Sequence, residues 1–205
     1  MADVPLYLAS ASPRRKDLLD QLGLACTVLP QDIDESRLPS ELPADYVMRL
    51  ARQKAEAALQ SVDTIVGACC LGSDTTVVCD NEIFEKPVDA RDASRMLGAL
   101  SGKTHQVLTA VALASTSGTK VLLSTSDVTF RSLTSAEIDA YWRTGEPADK
   151  AGAYGIQGLA AMFVTHISGS YSGIMGLPVA ETIALLNGAG ITTLDILEQH
   201  ATTQI

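Results

Sequence analysis

The chain has 205 residues, a formal net charge of −9, 46% hydrophobic residues and 19% charged ones. That length suits one domain with a sizeable core, and that balance excludes a disordered chain. The acidity argues against a nucleic-acid polymer as partner, and the longest apolar run, 65–71, is far too short to span a bilayer. Strand signal begins within the first ten residues and leaves no room for a secretory leader, so the expectation is a cytoplasmic protein without a membrane partner.

Tyr7-Leu8-Ala9 ends a short apolar run and reads as a strand entering a turn. Pro13 suits the first position of a helix, with Ser12 as N-cap, Leu18, Leu19 and Leu22 as the apolar stripe and Gly23 as the stop. Unpaired backbone N–H groups at such an N-terminus favour an anion, whereas Arg14 and Arg15 are disfavoured there unless something negative offsets them. With the hydroxyls of Ser10 and Ser12 they make a phosphate cradle; a solvated basic first turn is the alternative. A short strand is expected at 26–29, then the acidic loop Asp32-Ile33-Asp34-Glu35. A helix is expected at 44–60, because Val47, Leu50, Ala51, Lys54, Ala55 and Ala58 recur at helical spacing. Lys54 thus falls on the buried face, and it either snorkels or meets a buried anion. Arg49, Arg52 and Gln53 are assigned to the outer face.

Two strands are expected at 64–71 and 75–79, with Asp74 between them. Aspartate is a poor strand former, so Asp74 is either a turn residue beside Gly72 and Ser73 or a carboxylate at the end of a buried strand, activating water or holding a metal. Asp80-Asn81 signals a turn before a strand at 82–84, after which Glu85-Lys86-Pro87 offers a second lysine. A helix at 89–100 leads into Gly98–Thr104, which imitates a Walker A loop. It is one residue short and sits between a helix and a strand, the reverse of the required order. A hairpin is expected from 107–113 and 121–130, and a capping box at Thr134–Glu137 opens a helix through Trp142. A loop rich in glycine then runs to Gly158, followed by a strand at 160–167 and a last helix from Pro178 to Asn187-Gly188. The alternation implies an α/β domain with a mixed sheet. The four cysteines form no C-x-x-C pair, and Cys69 and Cys70 should point to opposite faces of a strand, so buried reduced thiols are expected.

Taken in order, Leu8–Arg15, Asp34-Glu35, Lys54, Gly72–Thr75, Glu85-Lys86-Pro87, Leu100–His105, Asp149–Gly158, Gly169-Ser170-Tyr171 and Gly176-Leu177-Pro178 resemble the motif series of the Maf family of nucleotide pyrophosphatases. The resemblance spans nearly the whole chain. It implies a single Maf/ITPase-like α/β domain over 1–205, with a mixed twisted sheet flanked by helices, the active site in a central cleft, and a homodimer. It also implies house-cleaning hydrolysis of a nucleoside triphosphate to monophosphate and pyrophosphate with Mg²⁺ or Mn²⁺. Asp74 would be the proton acceptor, sharing the cation with Glu35; Ser10, Ser12, Arg15, Lys54 and Lys86 would hold phosphates. Arg14, Thr75 and Gln157 separate substrate groups in the family, and this combination is similar to the group preferring dTTP and UTP. A regulator that binds nucleotide and restrains septum formation without turnover is the competing implication.

Overall fold

The computed structural model describes residues 4–203. Strand β1 (Leu6–Leu8) runs parallel to both β2 (Thr27–Val28) and β3 (Cys69–Cys79). Beyond β3 come β4 (Glu82–Phe84), β5 (Thr104–Ser115), β6 (Gly118–Phe130) and β7 (Val164–Ser168). Hydrogen bonding orders them β2-β1-β3-β5-β6-β7, with β4 paired antiparallel to β3 and β7 antiparallel to β6. The sheet is therefore mixed, as expected.

Packing divides the chain into two units, through both of which β3, β5 and β6 pass. The first comprises residues up to Asp74, 110–123 and 176 onward. It contains helices α1 (Pro13–Gln21) and α2 (Pro43–Ser61), and, later in the chain, α6 (Val179–Asn187) and α7 (Thr193–Thr203). Part of its core is small-residue packing, with Ala9, Ala58, Ala68 and Cys70 buried together. The second unit, 75–109 and 124–175, contains α3 (Ala90–Leu100), α4 (Ser135–Trp142) and the short α5 (Tyr171–Met175). Its core is larger and aromatic: Phe84, Phe130, Tyr141, Tyr154 and Phe163 pack with Met96, Leu97 and Leu100.

Local signals place the ends of several elements. Ser12 is the N-cap of α1 and Pro13 its first residue, although the Ser12 side chain makes no capping hydrogen bond. The expected capping box opens α4, with Thr134 and Glu137 exchanging hydrogen bonds. Gly98–Thr104 closes α3 and enters β5, so the Walker A resemblance is spurious here. The cysteines are free thiols; Cys69, Cys70 and Cys79 are buried and Cys26 is partly so.

Four expectations are corrected. Residues 64–68 are not strand but turn, and Val66 is almost fully exposed, because the apolar run is interrupted by Gly67 at φ +77°. Gly72-Ser73-Asp74 forms no break: β3 is continuous, and Asp74 lies mid-strand rather than in a turn or at a strand end. The first half of the expected strand at 160–167 is a 3-10 segment, Leu159–Phe163, and pairing starts only at Val164. The helix after Pro178 is not the last, since α7 follows.

Candidate active site

The first unit holds seven of the residues singled out in the sequence: Ser10, Ser12, Arg14, Arg15, Glu35, Lys54 and Asp74. At the end of β1, Ser10 is buried, and its Oγ accepts hydrogen bonds from the Ser12 N–H at 3.2 Å and from Arg15 Nη1 at 2.9 Å. Arg15 Nε donates to the Gly176 carbonyl at 2.7 Å, so the guanidinium is held at two edges. The same carbonyl lies 2.9 Å from Ser73 Oγ, which is equally close to the Ala110 carbonyl. The Gly-Leu-Pro turn thereby braces both the arginine and the strand carrying Asp74. Burial pushes the Arg15 guanidinium below its ordinary pKa, the Asp74 carboxylate opposes this, and Arg14 beside it lowers it further. Arginine stays charged throughout any working range.

Lys54 reaches Asp74 because α2 lies directly on β3. A Cβ at Gly72 would stand 2.3 Å from the Ala51 carbonyl oxygen and 2.7 Å from the Ala55 nitrogen, both backbone atoms of α2. Only glycine permits that approach. With Ala51, Ala55 and Ala58 as its contact stripe, the helix brings Lys54 down to the strand, where Nζ lies 2.8 Å from Asp74 Oδ1. Glu35 arrives from the acidic loop, which α2 holds from the other side. The Tyr46 hydroxyl donates to the Glu35 carbonyl at 2.9 Å, and Arg49 grips Glu41 through both oxygens at 2.6 and 2.8 Å while donating to the Ser36 carbonyl. Glu41 is held down to about 2 chiefly by that guanidinium. Glu35 Oε1 thus sits 2.6 Å from Lys54 Nζ, with half of the Glu35 side chain open to solvent.

The inward lysine therefore does meet a buried anion, the Asp74 carboxylate of the protein itself, together with the half-exposed Glu35. Arg49 corrects the expectation of an outer-face residue: it is a largely covered brace for the acidic loop. Asp74 is shifted by this setting. Burial raises its proton affinity, while Lys54 and Arg15 act against that rise and Glu35 adds to it. A desolvated carboxylate still facing two cations is suited to taking a proton from water. Among the described residues no group of three or more His, Cys, Asp or Glu side chains converges on one point. Glu35 and Asp74 do share Lys54, and paired carboxylate oxygens are hard donors of the kind that bind Mg²⁺ together with substrate phosphates.

Arg14, half-buried in the first turn of α1, belongs to this unit; Thr75, Lys86 and Gln157 belong to the second. Thr75 follows Asp74 on β3, with its Oγ1 3.0 Å from that of Thr109, which donates to the Gly173 carbonyl at 2.7 Å. Lys86 is exposed on the segment after β4, and the preceding Glu85 carbonyl accepts the Gly152 N–H at 3.0 Å. Gln157 is exposed in the glycine-rich loop, whereas residues 152–156 are buried. His105 is buried against Phe130 and Tyr154, with Nε2 2.9 Å from the Tyr154 hydroxyl. It is a core residue rather than a ligand.

A family model described as "Maf-like protein" matches residues 5–189. The chain belongs to the Maf family. Among Maf relatives, a protein of Pseudoalteromonas translucida named "dTTP/UTP pyrophosphatase" is 56% identical, the match covering 88% of this chain and 95% of the other. Proteins with the same name from Saccharophagus degradans and Chromobacterium violaceum are each 54% identical, covering 89% and 90% of this chain and 87% and 94% of theirs. A solved structure of the Staphylococcus aureus Ham1 protein is similar at a TM-score of 0.46 and 13% identity, over 62% of this chain and 71% of that one.

Sequence reasoning missed the parts of this Maf site that act by contact. Gly72 and Ser73 have the composition of a turn, one of the two alternatives weighed for Asp74; the repeated alanines opposite, spaced along one face of α2, are the signal that a glycine is needed for close packing. The Arg49–Glu41 pair joins a helix to a loop and leaves no periodic trace.

Proposed function

We propose that this chain hydrolyses the α–β phosphoanhydride of dTTP and UTP, releasing the monophosphate and pyrophosphate. Two things support this: the buried Asp74 carboxylate between Lys54 and Arg15, and relatives above half identity named for that activity. In this reading Asp74 accepts a proton from water as the water oxygen bonds to the α-phosphorus. The bond from that phosphorus to the bridging oxygen breaks, and pyrophosphate carries the electron pair away. Arg15 and Ser10, pre-set by their mutual hydrogen bond, receive phosphate oxygens, with Ser12 beside them. Lys54 keeps Asp74 ionised at its raised proton affinity and adds positive charge. Lys86 supplies a further cation for the phosphates. Glu35 and Asp74 would hold a divalent cation, which when bound neutralises phosphate charge. Gln157 reads the base: its amide offers both donor and acceptor to the imide edge of uracil or thymine, with Arg14 and Thr75 completing the selection.

The test is pyrophosphate release by the pure protein with a panel of standard and modified triphosphates, run in ¹⁸O-labelled water with Mg²⁺ or Mn²⁺. The expected result is label in the monophosphate, and a kcat/KM for dTTP and UTP at least about tenfold above that for ATP. Label in pyrophosphate would place the attack at the β-phosphorus and refute the scheme. Tight nucleotide binding with no release would favour the regulator.

A further inference from the structure

Past the end of α4 the second unit carries a closed set of hydrogen bonds that neither catalysis nor phosphate binding uses. The Tyr141 hydroxyl donates to Glu146 Oε1 at 2.7 Å and accepts the Gly155 N–H at 3.1 Å. The Glu146 carboxylate then accepts the Leu159 N–H at 2.9 Å and the Ala160 N–H at 3.3 Å. The Glu146 backbone is itself pinned, its carbonyl accepting from Lys150 Nζ at 2.8 Å. One carboxylate and one phenol therefore grip the chain at 155 on one side and at 159 and 160 on the other. Between the grips lies Gln157, exposed, with Tyr154, Gly155 and Ile156 buried before it.

Gly158 shows how closely the brace fits. A Cβ there would lie 2.4 Å from both Glu146 carboxylate oxygens, so this glycine is needed to let the carboxylate reach the backbone. Tyr141 is fixed by its ring, buried and edge-on to Phe163 at 5.1 Å. Burial pushes the Glu146 carboxyl up, but the Leu159 N–H, the Tyr141 hydroxyl and the Ala160 N–H outweigh it and leave the group below its ordinary pKa. Glu146 is thus an ionised acceptor engaged by three donors, which suits it to hold backbone rather than to exchange protons.

We infer that Glu146, acting with Tyr141, is a positioning residue for base selection: it fixes the backbone of 155–160 and with it the direction in which Gln157 is presented. This rests on Gln157 reading the base, as proposed above. An amide discriminates between base edges only if its orientation is set before the base arrives. A loop free to turn would let the amide swap donor for acceptor and accept the wrong edge.

The experiment measures kcat and KM for dTTP and ATP in the unmodified protein and in Gln157→Ala, Glu146→Ala, Glu146→Gln, Tyr141→Phe and the double variant Glu146→Ala/Gln157→Ala. Glu146→Ala and Tyr141→Phe should each lower the dTTP-over-ATP ratio of kcat/KM by about tenfold, the factor that one lost charge-assisted hydrogen bond is worth. The loss should appear in KM for dTTP while kcat for ATP stays put. Glu146→Gln, which keeps one acceptor oxygen, should fall between. In the Gln157→Ala background, Glu146→Ala should change the ratio by less than about twofold, because the two residues act as a unit. A ratio kept by both Glu146→Ala and Tyr141→Phe, while Gln157→Ala collapses it, overturns the positioning role and spares the base reading. A ratio unmoved by Gln157→Ala overturns the base reading itself. If Glu146→Ala does not fold, Tyr141→Phe, which retains the ring against Phe163, carries the same expectation and the same refutation.

Discussion

The crossing of α2 over β3 is most directly tested by adding one methyl group at Gly72. The new Cβ would lie 2.3 Å from the Ala51 carbonyl oxygen, 2.7 Å from the Ala55 nitrogen and 3.1 Å from the Ala55 Cβ. The first two are backbone atoms of a helix, so no side chain can swing aside; α2 must move off the strand. Overpacking of this kind costs about 1–3 kcal/mol, and the backbone partners put this case at the upper end. For a protein of this size each kcal/mol lowers Tm by about 2–4 °C, so Gly72→Ala should melt roughly 6–12 °C lower. Moving α2 also moves Lys54 from Asp74, and a displacement of about 1 Å at a positioned group can cost ~10² in rate. The control is Gly98→Ala. Gly98 is an exposed residue of α3, and a Cβ there would meet nothing within 4 Å. The same substitution should stabilise at Gly98 by about 0.5–1 kcal/mol through helix propensity. Thermal unfolding by circular dichroism and pyrophosphate release from dTTP read both effects. A Gly72→Ala protein that melts and turns over like the unmodified one would refute the close packing and its role in placing Lys54.

Asp74→Asn should lower kcat by ~10²–10⁴ while KM changes little, since the amide keeps the shape and loses the base; steady-state kinetics with dTTP decide it, and a variant retaining most of the rate removes Asp74 from the chemistry. Lys54→Ala leaves Asp74 with Arg15 as its remaining close cation, so triphosphate affinity should fall and the protein should lose up to about 3 kcal/mol of stability. The acid limb of its pH–rate profile should move to higher pH, because losing a cation raises the proton affinity of Asp74 further; a limb that stays in place contradicts the pairing. His105 is pushed down to about 4 by burial. The unfolded chain, titrating near 6.5, takes up its proton first, so stability is full above about pH 6.5 and is lost as pH falls toward 4. This one group should cost about 2 kcal/mol between pH 7 and pH 5, and His105→Phe should flatten that part of the Tm–pH curve.

Much of this protein was legible locally. Pro13 and Gly23 mark the ends of α1 through their own backbone preferences, and Thr134 and Glu137 open α4 because a capping box involves groups within one turn of each other. The 3.6-residue period placed Lys54 on a buried face, and a lone aspartate between apolar runs marked Asp74 as a residue with a task beyond packing. Periodicity says which face is covered but not what covers it. That Lys54 meets Asp74 and Glu35, that Gly72 exists to admit α2 and not to turn the chain, and that Arg49 braces the acidic loop are contacts between elements, decided by tertiary packing. The same reason explains β3. Gly72-Ser73-Asp74 has the composition of a turn, yet burial between neighbouring elements, with Ser73 bonded to the Ala110 and Gly176 carbonyls, keeps it extended. Glu146 is the extreme case: a glutamate after a glycine carries no local mark, and its role arises only where the chain folds back to present the backbone of Leu159 and Ala160 to its carboxylate.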